Sequence, residues 1–363
     1  MEIAKEAIQT TQFTEKESRS FLVLGSGING LSCAVQLSEA YPDAAIQIIG
    51  EYCSPHTTSD VAAGLWGPYL LGNTLEAVCR NWAQTTHDYF HHLWSTGQAD
   101  PCGICLVSVT ELFADPQEPI PWWHDIVFGF QELTYKSLQV LEREHNATGK
   151  YGTGFTYVTF TCEPTTLMNH YCHTLTSKRN VKFHQKHIQG LECLNSLNID
   201  QHTIIINCLG LGAGQIFNDT DLEPIRGQVQ KVLAQGVFHS IANNSSYIIP
   251  NTATITLGGT KQKSHVTRVF PSDRYSIRKN CEAIVPALKH ATVIKDIVGL
   301  RPVRSTGVRL QIGTVNGTFG KRTIVHNYGH GGAGITLAWG CARHVVQLVQ
   351  NENKQLQNIR SRL

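Results

Sequence analysis

The sequence carries little net charge and no block of it: 30 Lys and Arg stand against 28 Asp and Glu, a formal +2 over 363 residues. Without a basic run there is no footprint for nucleic acid or an anionic membrane surface, and a small-molecule partner is expected instead. Long apolar runs are missing too, so nothing in the chain reads as a bilayer span. Residues Met1 to Ser20 lack the apolar core of a secretory signal and read as an N-terminal extension. Low-complexity linkers and internal repeats are absent, and the length allows one large or two ordinary domains with a proper core.

Cysteine is plentiful, but paired cysteine is not expected. Eleven scattered residues, an odd number in a chain too large to need staples, favour free thiols in a reducing compartment. Cys102-Gly103-Ile104-Cys105 is the one C-x-x-C. With no second ligand pair nearby it reads as a loop with two thiols, and no metal is expected. The Asn146-Ala147-Thr148 and Asn316-Gly317-Thr318 tripeptides would matter only in a secreted protein.

What is present begins with the apolar run Phe21 to Leu24, closed by Gly25, Gly27 and Gly30 at the G-x-G-x-x-G spacing. Gly25 permits a tight turn, Gly27 lets backbone approach a pyrophosphate, and Gly30 lets the following helix lie close to the strand. The helix spans Leu31 to Ala40. Its N-terminus offers unpaired N–H groups and the positive end of a dipole. A second apolar run, Ala44 to Ile49, completes a β-α-β unit, and Glu51 just beyond it suits an adenosine ribose. These features predict a dinucleotide phosphate site.

Similar pieces recur along the chain. The strand-like Thr203 to Cys208 runs into Gly210-Leu211-Gly212-Ala213-Gly214. Ile324 to Tyr328 leads through Gly329-His330-Gly331-Gly332-Ala333-Gly334 into a helix from Ile335 to about Asn351. Two helices opening on glycines are best explained by one long cofactor. Ser246 to Gly259 alternates and is β-branched, as in antiparallel strands joined by a Pro-Asn turn, and Gly227 to Ala234 and Val308 to Ile312 look similar. The expected fold is a Rossmann-like α/β unit with a parallel sheet, into which an α+β unit with an antiparallel sheet is interleaved.

Further blocks stand in order. They are Thr57-Thr58-Ser59-Asp60-Val61-Ala62-Ala63-Gly64-Leu65-Trp66, Arg226-Gly227-Gln228, Tyr247-Ile248-Ile249-Pro250, Gly299-Leu300-Arg301-Pro302-Val303-Arg304 and His326-Asn327-Tyr328-Gly329-His330-Gly331-Gly332. With the N-terminal fingerprint they resemble the peroxisomal flavoprotein family of D-amino-acid oxidase and D-aspartate oxidase, from Phe21 to Leu363. The resemblance implies FAD as cofactor and dioxygen as electron acceptor. It assigns residues 21–70, 170–226 and 305–363 to FAD binding, and 71–169 and 227–304 to the substrate.

In that layout Gly25, Gly27, Ile28 and Gly30 meet the pyrophosphate, Glu51 the ribose, and Ile188 the adenine. Thr57, Thr58, Ser59, Ala63, Gly64 and Leu65 lie along the flavin, with Gly331, Gly332, Gly334, Ile335 and Thr336 on its far side. Arg301 clamps the substrate α-carboxylate through two parallel hydrogen bonds, leaving Arg304 as the spare. Tyr247 adds a hydroxyl, and the Gly332 carbonyl accepts from the amine. No side-chain general base is expected, because the α-hydrogen leaves as hydride to flavin N5.

The two branches of the family divide the remaining features. Leu65-Trp66-Gly67-Pro68-Tyr69-Leu70 and His326-Asn327-Tyr328 resemble the branch acting on neutral D-amino acids. Gly258-Gly259-Thr260-Lys261-Gln262-Lys263 and Val308-Arg309-Leu310-Gln311 resemble the acidic branch, and Lys261 keeps a positive charge where that branch usually has an arginine. Ala242 stands where a second substrate arginine would be, and Asn243 where the neutral branch has a lid tyrosine; His239 and His56 are the other candidate cations. The expectation is D-aspartate and D-glutamate oxidation, with neutral D-amino acids as the alternative. A nicotinamide-dependent dehydrogenase would explain the first glycine motif alone and leave the C-terminal one unexplained. The ending Ser361-Arg362-Leu363 has the form of a peroxisomal address, so an import receptor is an expected partner, and a homodimer is compatible with the resemblance.

Overall fold

The computed structural model describes residues 19–145, 150–178, 180–197, 199–244 and 246–360. The first eighteen residues, the Asn146 tripeptide and Ser361-Arg362-Leu363 lie outside the described residues. The chain runs β1 (Ser20–Leu24), α1 (Ile28–Ala40), β2 (Ala45–Gly50), α2 (Thr58–Val61), α3 (Glu76–Ser95), α4 (Ala99–Cys102), β3 (Ile104–Phe113) and β4 (Phe128–Glu132). It continues through α5 (Tyr135–Glu144), β5 (Thr153–Cys162), α6 (Pro164–Thr176), β6 (Val181–Gln185), β7 (Ile204–Asn207), α7 (Gly212–Ile216) and β8 (Leu222–Leu233). After β9 (His239–Asn243), β10 (Ser246–Pro250), β11 (Ile255–Gly258) and β12 (Gln262–Lys263) come α8 (Pro271–Ile284), β13 (Thr292–Arg304), β14 (Arg309–Gly317), β15 (Gly320–Tyr328) and α9 (Gly334–Arg360).

Two sheets result. The first has the order β14-β15-β7-β1-β2-β6, parallel except for the β14 edge. Its β1 is an unbroken apolar run because a parallel strand is covered on both faces. α1 packs against α9, α6 and the sheet, and the apolar cluster around Leu31, Val35, Leu337 and Val345 joins the helices. The second sheet has the order β12-β8-β11-β10-β9-β3-β5-β4, with β13 along the other side of β8. α8 closes one face of it through Ile277, Cys281 and Ile284 against Ile248 and Leu257.

Register decides what the opposite face carries, since directly paired residues point the same way and side chains alternate along a strand. Glu111, Ala242, Tyr247 and Gly258 form one row across β3, β9, β10 and β11. The row continues to Val229 and Ile297, and Arg301, four residues beyond Ile297 on β13, shares its face. The fold expected from sequence is present. The antiparallel strand expected at Val308 to Ile312 is β14, which pairs with β15 at the edge of the first sheet.

Candidate active site

The glycine turn after β1 is built for close approach. Gly25 sits at φ +103° under the Cys208 carbonyl, and a Cβ on Gly30 would lie 1.9 Å from the Gly25 oxygen. The Ile28 N–H at the start of α1 donates to Ser59 Oγ at 3.1 Å, which brings the 57–65 loop against the helix N-terminus. Gly334, first residue of α9, lies opposite: a Cβ there would sit 3.8 Å from Asn29 Nδ2 and 3.9 Å from the Ile28 side chain. The two glycine-led helix starts therefore meet. Asn29 Oδ1, at that junction, is buried without a hydrogen-bond partner.

Glu51 follows β2, its carboxylate 2.7 Å from His187 Nδ1, and Ile188 beside it is buried among Leu22, Leu24 and Ile49. On the other flank the 57–65 loop is held by Asp60, which accepts from Thr57 N, Thr57 Oγ1, Ser54 Oγ and Thr165 Oγ1. Beyond Ala63 the chain runs along β5, through Cys162 N–H to Gly64 O and Trp66 N–H to Phe160 O. Thr336 Oγ1 exchanges hydrogen bonds with the Gly67 backbone. A phosphate cradle, two helix N-termini and an orphan buried acceptor fit the pyrophosphate and ribityl chain of FAD.

The expected substrate residues converge. Arg301 Nη1 donates to Thr260 O at 3.0 Å, and its guanidinium hydrogen-bonds Tyr247, whose ring lies over Gly258 and Gly259. Among the described residues no carboxylate stands within ion-pair distance of Arg301. Burial pushes the Tyr247 phenol above its ordinary value, and the Arg301 charge opposes that rise. Tyr69 organises the rest: its ring centre is 6.0 Å from Arg301 Cζ and 5.8 Å from Lys261 Nζ. Its carbonyl accepts from Gly332 N–H at 3.1 Å, and a Cβ on Gly332 would lie 2.3 Å from its ring. Gly331 N–H binds Pro302 O at 2.9 Å, tying the glycine loop to the arginine strand.

Other candidates fall elsewhere. Arg304 is structural, paired with Asp219 at 2.9 Å beside the Tyr328 hydroxyl. His239 points to the face opposite Tyr247, where it binds Ser108 and Thr110 and burial lowers its pKa. His56 is exposed in the turn ahead of α2. Ala242 shares the Tyr247 face, while Asn243, one residue on, belongs to the other. Lys261 is exposed. Tyr69 was visible in the sequence only as part of the Leu65 to Leu70 block, with no reason to single it out; Asn29 carried no signal beyond its place in the glycine motif.

Comparison with known proteins agrees with this geometry. Residues 20–348 match the model of a family described as FAD dependent oxidoreductase. A human D-aspartate oxidase is 35% identical over 90% of this chain and 93% of its own length. A D-amino acid oxidase of Dugesia ryukyuensis is 33% identical over 91% of this chain and 97% of its own. Among solved structures, glycine oxidase from Bacillus cereus superposes with a TM-score of 0.70 at 17% identity, covering 93% of this chain and 96% of that one, a likeness of fold. The chain therefore belongs to the family of FAD-dependent oxidoreductases that includes these D-aspartate and D-amino-acid oxidases.

Proposed function

We propose that the protein oxidises D-aspartate, and D-glutamate beside it, to the 2-oxo acid, ammonia and hydrogen peroxide. The observation that carries this reading is Arg301, a guanidinium without an acid partner among the described residues, next to the Tyr247 hydroxyl, with a second cation, Lys261, across the Tyr69 ring. The Arg301 fork and the Tyr247 O–H hold the α-carboxylate and fix the orientation of the α-carbon. Lys261 faces the side-chain carboxylate as a point charge. The Gly332 carbonyl accepts from the substrate amine, which reacts in its neutral form.

The side chains gathered here are the Arg301 and Lys261 cations and the Tyr247 and Tyr69 phenols. The chain's contribution is alignment and electrostatics. FAD held here would supply a hydride acceptor that dioxygen reoxidises. The start of α9 at Gly334 would present a positive dipole end to it. The imino acid released hydrolyses in water.

Oxidation of neutral D-amino acids by the same residues is the second reading, and Ala242 favours it, an alanine standing beside Tyr247 on its face. Hydrogen peroxide production by the FAD-loaded protein with D-aspartate, D-glutamate, D-alanine and their L-forms separates the two. Preference for D-aspartate supports the leading reading. Preference for D-alanine moves the substrate to the neutral class and leaves Lys261 as a surface charge.

A further inference from the structure

The face that carries Arg301 and Tyr247 also carries a carboxylate. Glu111 on β3 pairs with Ala242 on β9, which pairs with Tyr247 on β10, so the three side chains point the same way in one row. Two strand spacings separate Glu111 from Tyr247, roughly 10 Å. Glu111, Ala242, Tyr247 and Arg301 all keep partial contact with solvent, whereas Phe155, next to Glu111 in the row, is buried. Ala242 lies between Tyr247 and Glu111 in that row, and its side chain is only a methyl group.

We propose that Glu111 is a specificity-determining residue at the far end of this row, which sets the side-chain charge that the site accepts according to its own ionisation. The inference rests on the reading of Arg301 and Tyr247 as the α-carboxylate site. A neutral Glu111 leaves Lys261 to attract a second carboxylate, and an ionised Glu111 repels it.

Tyr157 on β5 shares a hydrogen bond with Glu111, Glu118 in the loop after β3 adds like charge, and Phe155 and Ala242 flank it without charge, with Glu132 of β4 next in the row beyond Phe155. Around Arg301 the charged and titratable groups are Tyr247, Tyr69, Lys261 and Arg301 itself. Burial raises the Glu111 carboxyl to about 7, despite the Tyr157 bond, so its charge changes near neutrality.

The test uses FAD-loaded protein and compares D-aspartate with D-asparagine, its neutral isostere, between pH 6 and 8.5. In the unsubstituted protein the ratio of their kcat/KM values falls by roughly tenfold as pH rises, the effect of one charge at about 10 Å in a partly desolvated site. In Glu111→Gln the ratio stays flat at its acid value, and in Glu111→Asp a pH dependence returns. An unchanged profile in Glu111→Gln overturns the proposal.

Should Glu111→Gln fail to fold, the unsubstituted protein decides. Succinate and butyrate are titrated by their perturbation of the flavin absorbance, which needs no turnover. Succinate weakens with rising pH while butyrate does not; equal behaviour removes Glu111 from the specificity argument and leaves the carboxylate site intact. Binding of neither acid removes the carboxylate site and the inference together.

Discussion

Arg301 is the residue on which the functional reading turns, because its partners are neutral. Thr260 O and Tyr247 together leave part of the fork unspent, and Gly227 beneath it has no side chain to displace it. Arg301→Ala is expected to retain flavin and fold while kcat/KM falls by about a thousandfold or more, since a bidentate charge-assisted pair is lost and the substrate carboxylate is left unpaired. Arg301→Lys, a point charge without the fork, falls between the two. Steady-state kinetics with flavin content measured alongside check this, and near-normal turnover in Arg301→Ala would sink the clamp. Lys261→Met is expected to cost D-aspartate about tenfold in kcat/KM and to spare D-alanine, because an exposed charge is worth little beyond its pairing with the second carboxylate. Equal losses on both substrates would show that Lys261 acts on something other than side-chain charge.

At the scale of elements, the loop along the expected flavin site depends on residues far away in sequence. Asn251, in the turn between β10 and β11, donates to Ala63 O at 2.8 Å, Thr161 Oγ1 at 2.7 Å and Cys162 O at 3.0 Å. Its own oxygen accepts from Thr256 Oγ1 at 3.2 Å and Lys231 Nζ at 3.4 Å, and Lys231 is paired with Glu163. Removing the amide leaves several partly buried carbonyls and a buried ammonium short of partners. Asn251→Ala is therefore expected to weaken FAD binding by about tenfold, read from quenching of flavin fluorescence on titration. An unchanged affinity with a lowered melting temperature would show that the turn supports the sheet only.

This coupling explains what the sequence made legible. The first β-α-β unit and the C-terminal helix have their apolar period, glycines and neighbours within a few dozen residues, so local rules suffice for Gly25 to Glu51 and for Gly334 onward. Arg301 and Tyr247 stood out through the blocks that hold them. Tyr69, Asn251 and Glu111 did not, because each acquires its place from pairing between strands more than a hundred residues apart or from a loop crossing to another sheet. The stretch 71–169 contributes α3, β3, β4 and β5 with ordinary alternation, and the C-x-x-C that opens β3 says nothing of Glu111, so that residue had no local mark.

The molecule as a whole holds several histidines neutral inside it. His87 is packed among Trp66, Phe128 and Phe160, and burial lowers it to about 4. His326 and His330, which frame the entry to the α9 glycine loop through Asn207 and Asn327, are lowered to about 4 by burial as well. Between pH 4 and 6.5 the unfolded chain binds protons at these three sites that the folded protein refuses, so the stability they allow is present above 6.5 and lost as pH falls towards 4. Glu111 works in the other direction: raised to about 7, it keeps a proton in the folded state that the unfolded chain releases above its ordinary carboxylate value, and so favours the folded state at low pH. These three groups against one contribute a net uptake of about two protons on unfolding near pH 5 to 6, and burial lowers His145, His170, His239 and His344 in the same direction. Thermal melts of the FAD-loaded protein, with free FAD held constant because ligand stabilises by mass action, are expected to show the melting temperature climbing from pH 5 to pH 7. His330→Asn should flatten that climb by about one proton's worth of slope. A melting temperature that is level or falls over this interval would mean that the histidines at the glycine loop are not held neutral, and that protonation there is tolerated by the fold.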